Sequence, residues 1–184
     1  MAEARYLSVK DLDAAATLAV LERAARLKRE VREGRPHPLL AGRTLAMIFQ
    51  KPSLRTRVSF EVGMTQLGGH AIYLGPSDIK LGERETVEDI ALTISRMCDI
   101  IMARVFGHDI VAGLAQHATV PVINALSDRE HPCQILADLQ TIQERKGRFA
   151  GLKAVFVGDG NNVAQSFLYG GALLGMSVTV ACPS

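Results

Sequence analysis

The chain has 184 residues, 48% of them apolar and 22% charged, with 16 glycines and 7 prolines. At roughly 100–200 residues per domain it holds one domain, or one and part of another, and this composition excludes a disordered or collagen-like chain. The 21 basic residues exceed the 19 acidic ones by only +2, with no Lys/Arg run to suit nucleic acid, and no apolar stretch approaches the roughly 18 residues of a membrane span.

Ser8-Val9-Lys10-Asp11 has the form of a capping box with Asp in the usual Glu/Gln place. The spacing of Leu12, Ala15, Ala16, Ala19 and Ala25 predicts a long helix from there to about Gly34, with Pro36 and Pro38 beyond it. Thr44–Phe49 reads as a buried strand. A helix runs from Ser53 to Leu67 and stops at Gly68-Gly69. Leu54, Val58 and Val62 form one stripe on it and Phe60, Met64 and Leu67 another, so it is expected to be buried on both sides. His70–Leu74 is a short strand, Gly75–Arg84 a polar loop, and Thr86 to Met97 a helix with acids in its first turns. Asp99–Val105 (strand), Gly107–Ala118 (helix) and Val120–Ala125 (strand) follow. Pro132 opens a helix where its missing N–H does no harm, and Arg145-Lys146-Gly147 closes it. Leu152–Val157, Asn162–Leu174 and Ser177–Ala181 make a last strand–helix–strand unit.

Strands separated by helices predict an α/β fold: a parallel sheet with helices on both faces. A boundary is expected near Lys146–Leu152, giving residues 1–147 and 148–184. The final unit cannot bury both faces of its own sheet. It either joins the first sheet or opens a second, Rossmann-like domain, and the second reading is preferred.

In such sheets ligands bind beyond the carboxyl ends of the strands. Three polar groups fall at such ends: Lys51-Pro52-Ser53-Leu54-Arg55-Thr56-Arg57, Arg104, and His131-Pro132-Cys133-Gln134. A helix starting at Ser53 offers unpaired N–H groups and a positive dipole end to an anion. Ser53 and Thr56 add hydroxyls, and Arg55 and Arg57 add guanidinium forks that match phosphate. The alternative is an ordinary cap at Ser53 and solvated arginines. Arg104 faces either the surface or a ligand. His131, at a helix N-terminus, is expected to be neutral and able to donate to a developing oxyanion, or else merely caps the helix. Gln134 binds an amide-like group or is simply exposed.

Cys98, Cys133 and Cys182 are odd in number and widely spaced, which suits reduced thiols in a cytoplasmic protein better than a disulfide framework. The N-terminal Met1–Arg5 shows no signal-peptide core. Cys133 near a helix start is a candidate nucleophile, and no spacing suggests a metal site. Gly158-Asp159-Gly160-Asn161-Asn162-Val163 is two-thirds of a dinucleotide fingerprint, with Val163 in the place of the third glycine. A plain strand-to-helix turn explains it equally well.

Taken together, Ser53-Leu54-Arg55-Thr56-Arg57, Arg104 and His131-Pro132-Cys133-Gln134 resemble the carbamoyl phosphate site of the aspartate and ornithine carbamoyltransferases, whose pattern is Ser-Thr-Arg-Thr-Arg, a lone Arg after the third strand, and His-Pro-x-Gln. Phe60-Glu61 and Asp78-Ile79-Lys80-Leu81-Gly82-x-x-Glu85-Thr86 fit as well, and Gly158–Asn162 is similar to the ornithine branch. The resemblance implies carbamoyl transfer from carbamoyl phosphate to the δ-amine of ornithine, giving citrulline and phosphate, with no metal or organic cofactor. Ser53, the Leu54 N–H, Arg55 and Thr56 would hold the phosphate. Thr56, Arg104 and His131 would stabilise the oxyanion, Gln134 with nearby backbone carbonyls would orient the carbamoyl NH2, and Pro132 and Cys133 would belong to the same carbamoyl phosphate site. Asn162 would contact the backbone of ornithine. Lys80 would reach a neighbouring subunit's site, which implies trimers. Two residues depart from the pattern: Leu54 replaces a Thr, and Lys80 stands where ornithine enzymes often carry Gln or His. The family's later ornithine motifs, Asp-x-x-x-Ser-Met and His-Cys-Leu-Pro, do not occur in these residues. A dinucleotide-dependent oxidoreductase, a non-catalytic phosphate-binding module, and a carbamoyltransferase acting on aspartate, putrescine or an acylated ornithine remain the alternatives.

Overall fold

A computed structural model describes residues 5–79 and 85–183 of the chain. The strand predicted at Thr44–Phe49 is β2, after a two-residue strand β1 (Arg5–Tyr6) and the helix α1 (Ala14–Arg32). It is flanked on one side by β3 (His70–Leu74) and on the other by β4 (Ile100–Arg104), and β4 pairs in turn with β5 (Val122–Leu126). All pairs are parallel, in the order β1-β5-β4-β2-β3.

Side chains alternate across the central strands, and that sorts the core into two layers. Ala46, Ile48, Ile101 and Ala103 face Ile90, Ala91 and Ile94 of α4 (Val87–Ser95) and Val111 and Leu114 of α5 (His108–His117). Leu45, Met47, Phe49 and Met102 face the other way, onto Met64 of α2 (Leu54–Gln66). β2 and β4 are covered on both faces, which is why they read as unbroken apolar runs. A third cluster joins Leu21 of α1 and Ile135 and Leu139 of α6 (Pro132–Lys146) to Phe149, Leu174 and Met176. It ties the sheet to the last unit, β6 (Lys153–Val157), α7 (Asn162–Leu173) and β7 (Ser177–Ala181), whose two strands, among the described residues, pair with each other in a separate sheet.

Several local expectations change. The capping box at Ser8 is real, but it caps a single 3-10 turn, Val9–Asp11. The long helix starts later, where Asp13 accepts from the Ala16 N–H at 2.7 Å. The expected loop after β3 contains a helical turn, α3 (Pro76–Ile79); Lys80 lies outside the described residues. The stripe Leu54, Val58 and Val62 on α2 is exposed, Leu54 by 77%, so α2 is buried on one side only. Two-residue β1 is too short for a periodic signal, and only its pairing with Val122 and Ile123 makes it a strand.

Candidate functional site

The three polar groups do meet. Ser53 is the N-cap of α2, with its Oγ accepting from the Thr56 N–H at 3.5 Å and donating to Thr56 Oγ1 at 3.0 Å. Arg104 Nη1 reaches the same Thr56 Oγ1 at 3.0 Å from the end of β4. The pairing register of β4 on β5 shifts between Ala103 and Arg104, where Arg104 comes opposite Leu126. Such irregularities re-aim a side chain at the rim of a sheet, and here the shift falls at the one charged residue of β4.

His131 occupies the N-cap position of α6 but makes no side-chain capping bond. Its Nδ1 is buried without a partner, as is Nε of Arg104. Burial above all, and then the charges of Arg104 and Lys51, push the imidazole down to about 4. The ring is therefore neutral at physiological pH, with one N–H to donate. The sequence pointed to the helix dipole; burial and two neighbouring cations act in the same direction.

Arg55, Thr56, Ser59, Phe60, His131, Cys133 and Gln134 line a cleft of about 350 Å³ between α2 and α6. Burial first, and then neighbouring charge, lowers the basicity of both Lys51 and Arg104: Arg104 acts on Lys51, with Asp128 pulling the other way, and Arg55 acts on Arg104. Among the described residues no carboxylate forms an ion pair with Lys51, Arg55 or Arg104. Cations, hydroxyls and a helix N-terminus gathered at these strand ends make a site for a multiply charged anion.

Not every sequence candidate points there. Arg57 stacks on the Tyr73 ring at 4.1 Å and pairs with Glu61 at 3.0 Å, away from the cleft. Leu54 is exposed at the first position of α2, so it can offer a backbone N–H but no side-chain donor. Cys133 borders the cleft, yet its thiol turns inward to the Asn124 carbonyl at 3.5 Å, and burial pushes it up to about 12. Such a thiol is no nucleophile at neutral pH. Pro132 is buried at the first position of α6. Asn162 donates from Nδ2 to the Ser127 carbonyl at 2.6 Å, which places it beside the loop that carries His131. The turn before α7 gives little to a dinucleotide, because Asn161 Oδ1 already accepts from the Val163 and Ala164 N–H groups at 3.0 and 3.3 Å. Among the described residues no three His, Cys, Asp or Glu side chains cluster as metal ligands would.

Sequence reasoning missed the residues that hold the loop. The His131 N–H donates to Ser166 Oγ at 2.8 Å, and Ser166 Oγ donates to the Asn162 carbonyl at 2.9 Å. Buried Glu130 accepts from Ser8 Oγ at 2.7 Å and from the Val9 N–H at 2.9 Å. Ser166 lies on a helix that read as core, and Glu130 looked like loop surface. No local pattern distinguishes either.

Comparison with known proteins places the chain in one family. The family model described as aspartate/ornithine carbamoyltransferase, carbamoyl-P binding domain, matches residues 5–144. The ornithine carbamoyltransferase of Cenarchaeum symbiosum (strain A) is 56% identical over 178 residues, 97% of this chain and 58% of that protein. The anabolic ornithine carbamoyltransferase of Pyrococcus furiosus is 55% identical over 96% of this chain and 56% of its own length. The solved structure of ornithine carbamoyltransferase from Pyrococcus furiosus superposes with a TM-score of 0.97 at 54% identity, covering 99% of this chain and 58% of that one. The chain thus spans under three fifths of the length of these relatives.

Proposed function

The chain belongs to the aspartate/ornithine carbamoyltransferase family, and on that premise we propose that it supplies the carbamoyl phosphate half of an ornithine carbamoyltransferase. The observation that carries the reading is the convergence of Ser53, Thr56 and Arg104 through two 3.0 Å hydrogen bonds, beside a neutral, unpartnered His131. In this reading the N-terminus of α2, Ser53, Arg55 and Thr56 hold the phosphate of carbamoyl phosphate. Arg104 bridges phosphate and carbonyl oxygen. The δ-amine of ornithine attacks the carbonyl carbon. Thr56, Arg104 and His131 donate to the oxygen as it gains charge. The tetrahedral species collapses to citrulline and phosphate. Binding energy spent on holding the donor in place supplies much of the acceleration.

The acceptor assignment leans on Asn162, set beside the His131 loop, and on relatives named for ornithine. The same relatives, one of them named anabolic, favour a role in arginine biosynthesis. The domain division at residues 147 and 148 is supported by Gly147, which closes α6 at φ 67°, and by the separate pairing of β6 with β7. A homotrimer with shared sites is supported by the exposed stripe Leu54, Val58 and Val62 on α2, beside the site, an apolar run that a partner subunit would cover. The free thiols Cys98, Cys133 and Cys182 suit the cytoplasm.

The test is citrulline formation from ornithine and carbamoyl phosphate, run on this chain and on a longer natural chain that contains it. Turnover with ornithine and none with aspartate or putrescine is the expected result. A longer chain that leaves carbamoyl phosphate intact would sink the proposal.

A further inference from the structure

Gln134 and Asp138 stand one turn apart on α6, and Gln134 Nε2 donates to Asp138 Oδ1 at 2.9 Å. Side chains four apart on a helix lie on one face. An ionised carboxylate only accepts, so it leaves the Gln134 amide one favourable orientation, with its NH2 toward Asp138 and its carbonyl oxygen away. Gln134 lines the cleft with Arg55, Thr56 and His131. Asp138 stands behind it, half-buried; burial raises its carboxyl and the bond from Gln134 lowers it.

The cations around the cleft supply donors only. Arg55 and Arg104 only donate, and a protonated Lys51 does the same. Phosphate and carbonyl oxygens match such groups. A carbamoyl NH2 does not; it needs an acceptor. We infer that Asp138 is a positioning residue that turns the Gln134 carbonyl oxygen toward the cleft, so that the site prefers a phosphate bearing an adjacent amide NH2 over phosphate alone. The inference rests on the carbamoyl phosphate reading of the site given above.

Two stable probes test it: inorganic phosphate, and phosphonoacetamide, in which a methylene replaces the labile bridging oxygen and the carboxamide is kept. Calorimetric titration of the parent chain should show tighter binding of phosphonoacetamide. Asp138→Asn replaces an acceptor-only group with one that offers either a donor or an acceptor, so the Gln134 amide is no longer held one way round. The preference for phosphonoacetamide should then shrink about fivefold, the worth of one neutral hydrogen bond, while phosphate affinity and the thermal midpoint stay unchanged. Asp138→Glu keeps an acceptor-only group and should retain the preference.

An undiminished preference in Asp138→Asn overturns the inference and leaves the anion site standing. Equal loss of both probes in that variant also overturns it, because it marks a structural role. A parent chain that binds phosphate with no preference for phosphonoacetamide does the same. A parent chain that binds neither probe sinks the reading of the cleft, and the inference falls with it.

Discussion

Arg104 and Thr56 are 48 positions apart, yet Arg104 Nη1 donates to Thr56 Oγ1 at 3.0 Å. The bond joins the end of β4 to the first turn of α2, and it fixes a guanidinium over a helix N-terminus where both favour the same anion.

Arg104→Ala should therefore act on chemistry rather than on folding. The side chain is only half-buried, and among the described residues no carboxylate pairs with it. Turnover in a full-length enzyme should fall on the order of 100-fold or more, as for loss of one donor to a developing oxyanion. Circular dichroism should be unchanged. Wild-type kinetics in the variant would remove Arg104 from the site.

His131 gives the site a pH signature. Its ordinary pKa of 6.5 drops to about 4 in the folded chain. Between those values the unfolded chain holds the proton and the folded chain does not. Stability therefore rises with pH across that window, and the contribution is lost as pH falls from 6.5 toward 4. His131→Gln removes the titration, so the difference in unfolding free energy between pH 7 and pH 5 should shrink in urea melts. An identical pH slope in the variant would show that the ring titrates normally in the folded chain.

These residues also show what the sequence made legible. The strand ends bearing Lys51–Arg57, Arg104 and His131–Gln134 were readable because parallel strands covered on both faces are apolar runs with sharp polar ends. What they do at those ends was less so. Arg57 looks like Arg55 in sequence, but two positions along a helix turn it about 200° away, onto Tyr73 and Glu61. The exposed stripe on α2 misled for a related reason: periodicity reports an apolar face without saying whether this chain or another covers it. The β4 register shift and the ties from Ser166 and Glu130 are tertiary facts with no local signature.

Cys133 provides a test with no substrate. Its thiol is buried against the Asn124 carbonyl and pushed up to about 12, whereas Cys182 is exposed. At pH 8 an aromatic disulfide reagent should label Cys182 quickly and leave Cys133 untouched until the chain unfolds. Cys133→Ser should leave most of the turnover of a full-length enzyme in place. Loss of activity together with a trapped acyl-enzyme would restore the nucleophile reading.

Gly170 tests the joint between α6 and α7. A Cβ there would lie 2.6 Å from Ile135 Cγ1 and 3.3 Å from Leu139 Cδ1. Both side chains belong to the fully buried face of α6, and Cγ1 lies mid-chain, so Ile135 cannot swing clear without repacking. Two effects of Gly170→Ala oppose each other. Helix propensity favours Ala by up to about 1 kcal/mol, while overpacking a filled core costs about 1–3 kcal/mol. Overpacking wins, and the net loss in urea denaturation should be about 1 kcal/mol. Because Ile135 follows Gln134 directly, the displaced α6 should also weaken phosphonoacetamide binding. A Gly170→Ala chain as stable as its parent would mean that α6 and α7 do not approach this closely.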